Sequence, residues 1–313
     1  MRIVFFGTGV FAVPALRVCA PHCVLAVSQP GKPSGRGMQV RPSAVESAAR
    51  ELGLPVQTPE KARDPEFIAR VRDLRPDLLV VASYGQILRQ PLLDAAIVAP
   101  INLHGSILPA WRGAAPIQRA IEAGNEETGV TLMRMDAGMD TGPMVAIART
   151  PIGADETAGA LQLRLADLAA DLLTEWLPRL AAGEFETTPQ PSEGVEMAPK
   201  VTREDARLDP VRPANGEYDR YRAFTPAPGA TLATRLGTLK VHRARLVEGV
   251  SEGTDRLPGD ITLGSDGLFV AFAGGGLWLD EVQTEGKRRT SGREWANGAR
   301  LKSGDNLLVP EHE

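Results

Sequence analysis

Apolar residues recur along this chain in two rhythms. The runs I-V-F-F at 3–6, V-L-A-V at 24–27, L-L-V-V-A at 78–82 and I-V-A-P-I-N-L at 97–103 have the length and β-branched content of buried strands. Between them, helical patterns are expected from Gly9 to about Val18, after Ser43 and after Asp64-Pro65. Ser43 followed by Glu46 predicts a capping box. Pro65 stands where a first helical residue tolerates proline. Strands at 129–135 and 144–150 follow, then a helix capped by Thr157 and running to about Ala182. Strand alternating with helix predicts an α/β domain, Rossmann-like, on a mostly parallel sheet.

The texture changes after Gly183. Residues 184–205 carry Pro189, Pro191 and Pro199 and few apolar groups, as a linker does. A short helix is expected at 213–224. Five short strands then follow at 231–236, 238–246, 260–263, 268–273 and 277–282, separated by glycine turns. They predict a small C-terminal β-barrel of the oligonucleotide-binding (OB) type. The expected division is 1–183, a linker at 184–205, and 206–313.

Composition narrows the function. The 313 residues suffice for two domains, and 43% of them are hydrophobic. No apolar run is long enough to span a bilayer, and Met1–Gly7 is too short and glycine-broken for a signal peptide, so a cytoplasmic protein with no membrane partner is expected. The only cysteines, Cys19 and Cys23, flank His22 but lack the further ligands of a metal site; two free buried thiols and no metal are expected. The net charge of −4 argues against an indiscriminate nucleic-acid binder. Yet no acid precedes Glu46, while Arg2, Arg17, Lys32, Arg36 and Arg41 are basic, and Lys287-Arg288-Arg289 forms a second cluster. Solvated surface is the commoner explanation of either, and two such patches on an otherwise acidic protein also suit one defined polyanion.

Gly7-x-Gly9 after a strand hints at dinucleotide binding, but the third glycine is missing and strand two ends at Ser28 rather than an acid, so a tight strand–helix turn is the simpler reading. The chemistry concentrates in I-N-L-H-G-S-I-L-P-A-W-R-G-A-A-P-I-Q-R at 101–119. Asn102 and His104, two residues apart, share one face of a strand end. Asp140, in M-D-A-G-M-D-T-G, follows a strand that would lie beside theirs. A loop acid between glycines is usually a turn former or helix cap, but if that strand lies beside theirs the three make an acid–imidazole–amide set. The carboxylate orients the ring and favours its cation, and amide and ring both donate to one oxygen. That suits acyl-type transfer through a tetrahedral oxyanion. No G-x-S-x-G and no cysteine near His104 offers a nucleophile, so direct attack by an amine is expected.

The stretches N-L-H-G-S-I-L-P, W-R-G-A-A-P-I-Q-R-A-I and T-G-V-T-L-M-R-M-D-A-G-M-D-T-G resemble the formyltransferase family that uses 10-formyltetrahydrofolate. The resemblance extends to F-F-G-T-G-V-F-A at the start and P-K-V-T-R-E-D-A-R-L-D in the expected linker. It implies catalytic roles for Asn102, His104 and Asp140, and a folate site lined by Ser106, Ile107, Leu108 and Pro109. It implies that the loop 29–42, with Lys32, Arg36 and Arg41, reaches into the acceptor end of methionyl-initiator tRNA, whose inner side the barrel holds. The formyl group would pass to the methionyl α-amino group, with the protein acting as a monomer. Ile107 stands where relatives often carry leucine, a volume-conserving change. Three rivals remain at this point: formylation of a small amine, hydrolysis of formyl-folate, and a non-catalytic RNA-binding module. The basic loop and second domain speak against the first, and the Asn-His-Asp set against the last.

Overall fold

Five consecutive buried residues, Ile3–Gly7, form the central strand β1 of the first sheet. The computed structural model describes residues 1–34, 39–248, 256–265 and 267–308. The other strands of this sheet are β2 (Cys23–Val27), β3 (Val56–Gln57), β4 (Leu78–Ala82), β5 (Ala99–His104), β6 (Glu127–Arg134) and β7 (Met144–Pro151). Their spatial order is β7-β6-β5-β4-β1-β2-β3. From β3 to β5 all neighbours are parallel, whereas β6 and β7 run antiparallel to theirs. The chain starts mid-sheet, builds to one edge, and returns to the other side of β1. Order therefore reverses between β1 and β4, which makes a crevice at the carboxyl ends of those strands. One core on this sheet gathers Val4, Phe6, Leu25, Val27, Leu79 and Val81 with Phe67 and Tyr84.

Local signals hold with one exception. Ser43 Oγ accepts from the Glu46 amide at 2.9 Å, but the Glu46 carboxylate pairs with Arg50 at 2.6 Å, so the box expected there is half formed. Arg50, one helical turn away, offers a charged partner that outcompetes a backbone amide. The complete capping box lies instead at Ser291 and Glu294, ahead of a helix Gly292–Gly298 that the strand-like reading of the C-terminal region passed over. At Gly7–Gly9 the turn is tight: the Thr8 and Gly9 amides both point to the Ser83 carbonyl, at 3.1 and 3.5 Å. Those donors are committed to backbone rather than offered to a phosphate. Cys19 and Cys23 are free and buried, and burial pushes the Cys23 thiol up to about 11.

By contacts the chain divides into two units: Met1–Pro116, Glu127–Pro151 and Gln162–Pro199 form one, and Ile117–Glu126, Ile152–Leu161 and Lys200–Glu313 the other. The second unit is β-rich. Its strands are β8 (Arg207–Leu208), β9 (Thr231–Thr234), β10 (Gly237–Glu248), β11 (Ile261–Leu263), β12 (Leu268–Phe272), β13 (Gly275–Thr284) and β14 (Thr290–Ser291). They pair in the path β8-β9-β10-β13-β12-β11, with β14 beside β13, and every pairing except β8–β9 is antiparallel. Leu232, Leu239, Val241, Leu268, Val270 and Leu279 fill its core. Among the described residues no ladder joins the ends of this path, so no closed barrel is seen there. The path's terminal strands β8 and β11 are only two and three residues long.

Candidate active site

Strand β5 sets the site. Its period of two sends Ile101 and Leu103 to one face and Asn102 and His104 to the other. Both polar side chains are deeply buried, 8% and 5% exposed, and so need polar partners. The neighbouring strand β6 runs antiparallel, with Met133 opposite Asn102 and Thr131 opposite His104. The chain leaves β6 after Arg134, level with Ile101, and must double back for Asp140 to reach the same face. It does so through a turn in which Asp140 adopts φ 54°, a left-handed conformation that costs a non-glycine residue of order 1–3 kcal/mol.

The three residues singled out from sequence meet there. Asp140 Oδ1 lies 3.4 Å from Asn102 Nδ2, and Oδ2 lies 3.7 Å from His104 Nδ1. Oδ2 also accepts the Gly113 amide at 2.9 Å. The other ring nitrogen, His104 Nε2, is 3.0 Å from the Trp111 carbonyl. The Trp111 carbonyl accepts from Nε2 only when that nitrogen carries the proton, while Nδ1 at 3.7 Å from Asp140 lies within ion-pair range and outside hydrogen-bond reach. The turn 111–113 thus supplies one carbonyl to the histidine and one amide to the aspartate. Trp111 achieves this at φ 61°, and Gly113 at φ 126°. A Cβ on Gly113 would lie 2.7 Å from the Ala198 carbonyl, so glycine is required on both counts.

The segment 106–109 is held by Thr131. Its Oγ1 donates to the Ser106 carbonyl at 2.7 Å and accepts the Leu108 amide at 3.1 Å. Ser106 is fully buried, its hydroxyl donating to the Ala110 carbonyl at 2.6 Å, and Leu108 is buried too. Ile107 and Pro109 are half-buried and present the accessible apolar surface. Of the three basic residues, Lys32 lies in a short strand Lys32–Ser34, in register opposite Arg41 of the strand Gln39–Arg41. Arg41 is exposed. Arg36 lies outside the described residues. Among the described residues no cluster of three or more His, Cys, Asp or Glu side chains gathers as a metal site would, and no helix is long and apolar enough to cross a membrane.

Sequence reasoning missed the supports. Thr131 reads as an ordinary strand residue. Gln190 sits in the proline-rich stretch expected as a linker, yet its Nε2 donates to the carbonyls of Asp140 and Gly142, both at 2.8 Å. The two-residue strand Met197–Ala198 pairs in parallel with Arg112–Gly113. The only hint in the sequence was the bracketing of Gln190 by two prolines, which stiffens the stretch.

The class to which this sheet and its amide–imidazole–carboxylate cluster belong comes from comparison with known proteins. The formyl transferase family model matches residues 1–177, and that of the formyl transferase C-terminal domain matches residues 200–300. The chain belongs to the formyl transferase family. Among its relatives are the methionyl-tRNA formyltransferases of Halorhodospira halophila, 46% identical over 97% of this chain and 98% of that protein, and of Paracoccus denitrificans, 45% identical over 96% and 98%. Among solved structures, the fold is similar to an N-formyltransferase from Helicobacter canadensis in complex with folinic acid and dTDP-3-aminofucose. That likeness has a TM-score of 0.66 at 15% identity, covering 90% of this chain and 99% of that one.

Proposed function

We propose that the protein transfers the formyl group of 10-formyltetrahydrofolate to the α-amino group of methionyl-initiator tRNA. The observation that carries this reading is the convergence of Asp140 on the buried Asn102 and His104, at 3.4 and 3.7 Å. The near-full-length likeness to methionyl-tRNA formyltransferases supports the substrate pair.

The neutral methionyl amine attacks the formyl carbon, a C–N bond forms, and the carbonyl oxygen takes the electron pair. Collapse of the tetrahedral adduct breaks the bond to folate N10, which gains a proton as the amine nitrogen loses one. A free α-amino group titrates at roughly 7.7–8.0, and esterification of the carboxyl lowers that, so a strong base is unnecessary. Stabilising the oxyanion is the larger task. The 3.7 Å between Asp140 and the ring is too long for a hydrogen bond, so His104 Nδ1 is attracted without being consumed. Asn102 keeps a second N–H beyond the one facing Asp140. Both donors therefore serve one incoming oxygen, while the Trp111 carbonyl fixes the ring plane.

The half-buried Ile107 and Pro109, with the backbone of Ser106 and Leu108, form the wall of the folate site. Lys32, Arg36 and Arg41 serve the acceptor end of the tRNA, and the C-terminal domain at 206–313 its inner side. The chain acts as a monomer, with catalysis in 1–183 completed by groups from 184–205. The test is formyl transfer from 10-formyltetrahydrofolate to charged initiator tRNA, charged elongator tRNA and free methionine in parallel. Transfer confined to the initiator supports the reading; formate release without an amine, or equal transfer to free methionine, defeats it.

A further inference from the structure

Gln190 has its hydrogen-bonding capacity filled. Its two N–H bonds go to the Asp140 and Gly142 carbonyls, both at 2.8 Å. Its Oε1 accepts from Arg112 Nε at 2.9 Å and Nη2 at 2.7 Å. A side-chain amide has two N–H donors and two acceptor lone pairs, so no other residue type of this length meets all four demands. The two sides it joins are the two walls of the site. One is the left-handed turn that carries Asp140; the other is the strand Arg112–Gly113, whose glycine amide donates to Asp140 Oδ2. Gln190 is itself anchored, because Thr188 and Met144 exchange both backbone hydrogen bonds at 2.8 Å.

We infer that Gln190 is a positioning residue for formyl transfer, fixing the Asp140 carboxylate between Asn102 and His104 by clamping the Asp140 turn to Arg112. This rests on the role given to Asp140 above. Two replacements separate its halves in the full-length protein. Gln190→Glu keeps the acceptor for Arg112 and turns an acceptor toward the two carbonyls. Gln190→Met keeps the length and removes every hydrogen bond. Displacing a reacting group by about 1 Å costs up to about 100-fold. Both variants are therefore expected to lose about 10–100-fold in kcat, with KM for folate and tRNA within about threefold, and the pH–rate profile altered.

The decisive measurement is a double-mutant cycle with Asp140→Asn. If Gln190 acts through Asp140, Gln190→Met adds little to the loss already caused by Asp140→Asn. A wild-type kcat in both Gln190 variants, or a loss that persists undiminished in the Asp140→Asn background, overturns the inference and leaves the role of Asp140 standing. Full activity in Asp140→Asn alone removes that role, and this inference with it. Thermal melting of each variant confirms that folded protein is being compared.

Discussion

Asp140→Asn is the sharpest perturbation of the site, because it alters charge while nearly preserving shape. The asparagine oxygen can still accept the Gly113 amide, a contact of 2.9 Å in the wild type. Its NH2 would then oppose Asn102 Nδ2 across 3.4 Å, a donor against a donor, relieved only if the Asn102 amide rotates, since turning the new amide would set its NH2 against the Gly113 amide. Stability should change by no more than about 1 kcal/mol, the net worth of one hydrogen bond. The charge effect is larger. At 3.7 Å from His104 Nδ1, a carboxylate attracts an imidazolium by roughly 4 kcal/mol at an effective dielectric of about 20. The Asp140 side chain is 19% exposed, so part of this is screened by solvent. For a ring that carries its charge in the transition state and not in the resting enzyme, losing this attraction costs the chemical step about 100- to 1,000-fold, at about 1.4 kcal/mol per tenfold. The assay is single-turnover transfer from 10-formyltetrahydrofolate to methionyl-initiator tRNA across pH, with tRNA affinity measured alongside. A rate within threefold of wild type, or a pH profile superimposable on it, would refute the electrostatic role and reduce Asp140 to a turn residue.

Four further outcomes are expected. Asn102→Ala and His104→Ala each lower kcat by about 100- to 1,000-fold, the usual cost of one oxyanion donor, with little change in tRNA binding measured by filter retention. Thr131→Val orphans the buried Leu108 amide and destabilises the fold by about 1–3 kcal/mol in urea titration. Neutralising Lys32, Arg36 and Arg41 together weakens tRNA binding and flattens its log–log salt dependence by about 2–3 units, read from affinities at several salt concentrations. Burial raises the Cys23 thiol from 9.0 to about 11. The unfolded chain thus ionises first as pH rises, and the native state holds the extra proton. Stability conferred by this thiol is therefore complete below pH 9 and falls by up to about 1.4 kcal/mol per unit between pH 9 and 11, a slope that Cys23→Ala should reduce.

Much of the framework was legible because it rests on local pattern. Apolar runs located Leu78–Ala82 to the residue, and the spacing of Asn102 and His104 placed both on one face of their strand. Asp140 was also legible, since a strand beside β5 would deliver it. What stayed hidden depends on contacts distant in sequence. The Trp111 carbonyl reaches His104 only because Trp111 is left-handed, which no propensity favours for a bulky side chain. Thr131 acts through its register with His104, and Gln190 through a return of the chain some fifty residues after Asp140. At Ser43–Glu46 the local rule lost to Arg50, and at Ser291–Glu294 the same rule held unnoticed within a glycine-rich region.

The short parallel pairing of Met197–Ala198 with Arg112–Gly113 has a bearing on truncation. A chain cut after residue 183 retains all seven strands of the first sheet and the Asn102–His104 strand end. It lacks Gln190, and it lacks the Ala198 carbonyl that accepts the Ala114 amide at 2.8 Å. Such a fragment would keep a folded sheet around a slack reaction centre. During synthesis, competence would accordingly arrive only after the ribosome has released the stretch through Ala198, well after the sheet itself is complete.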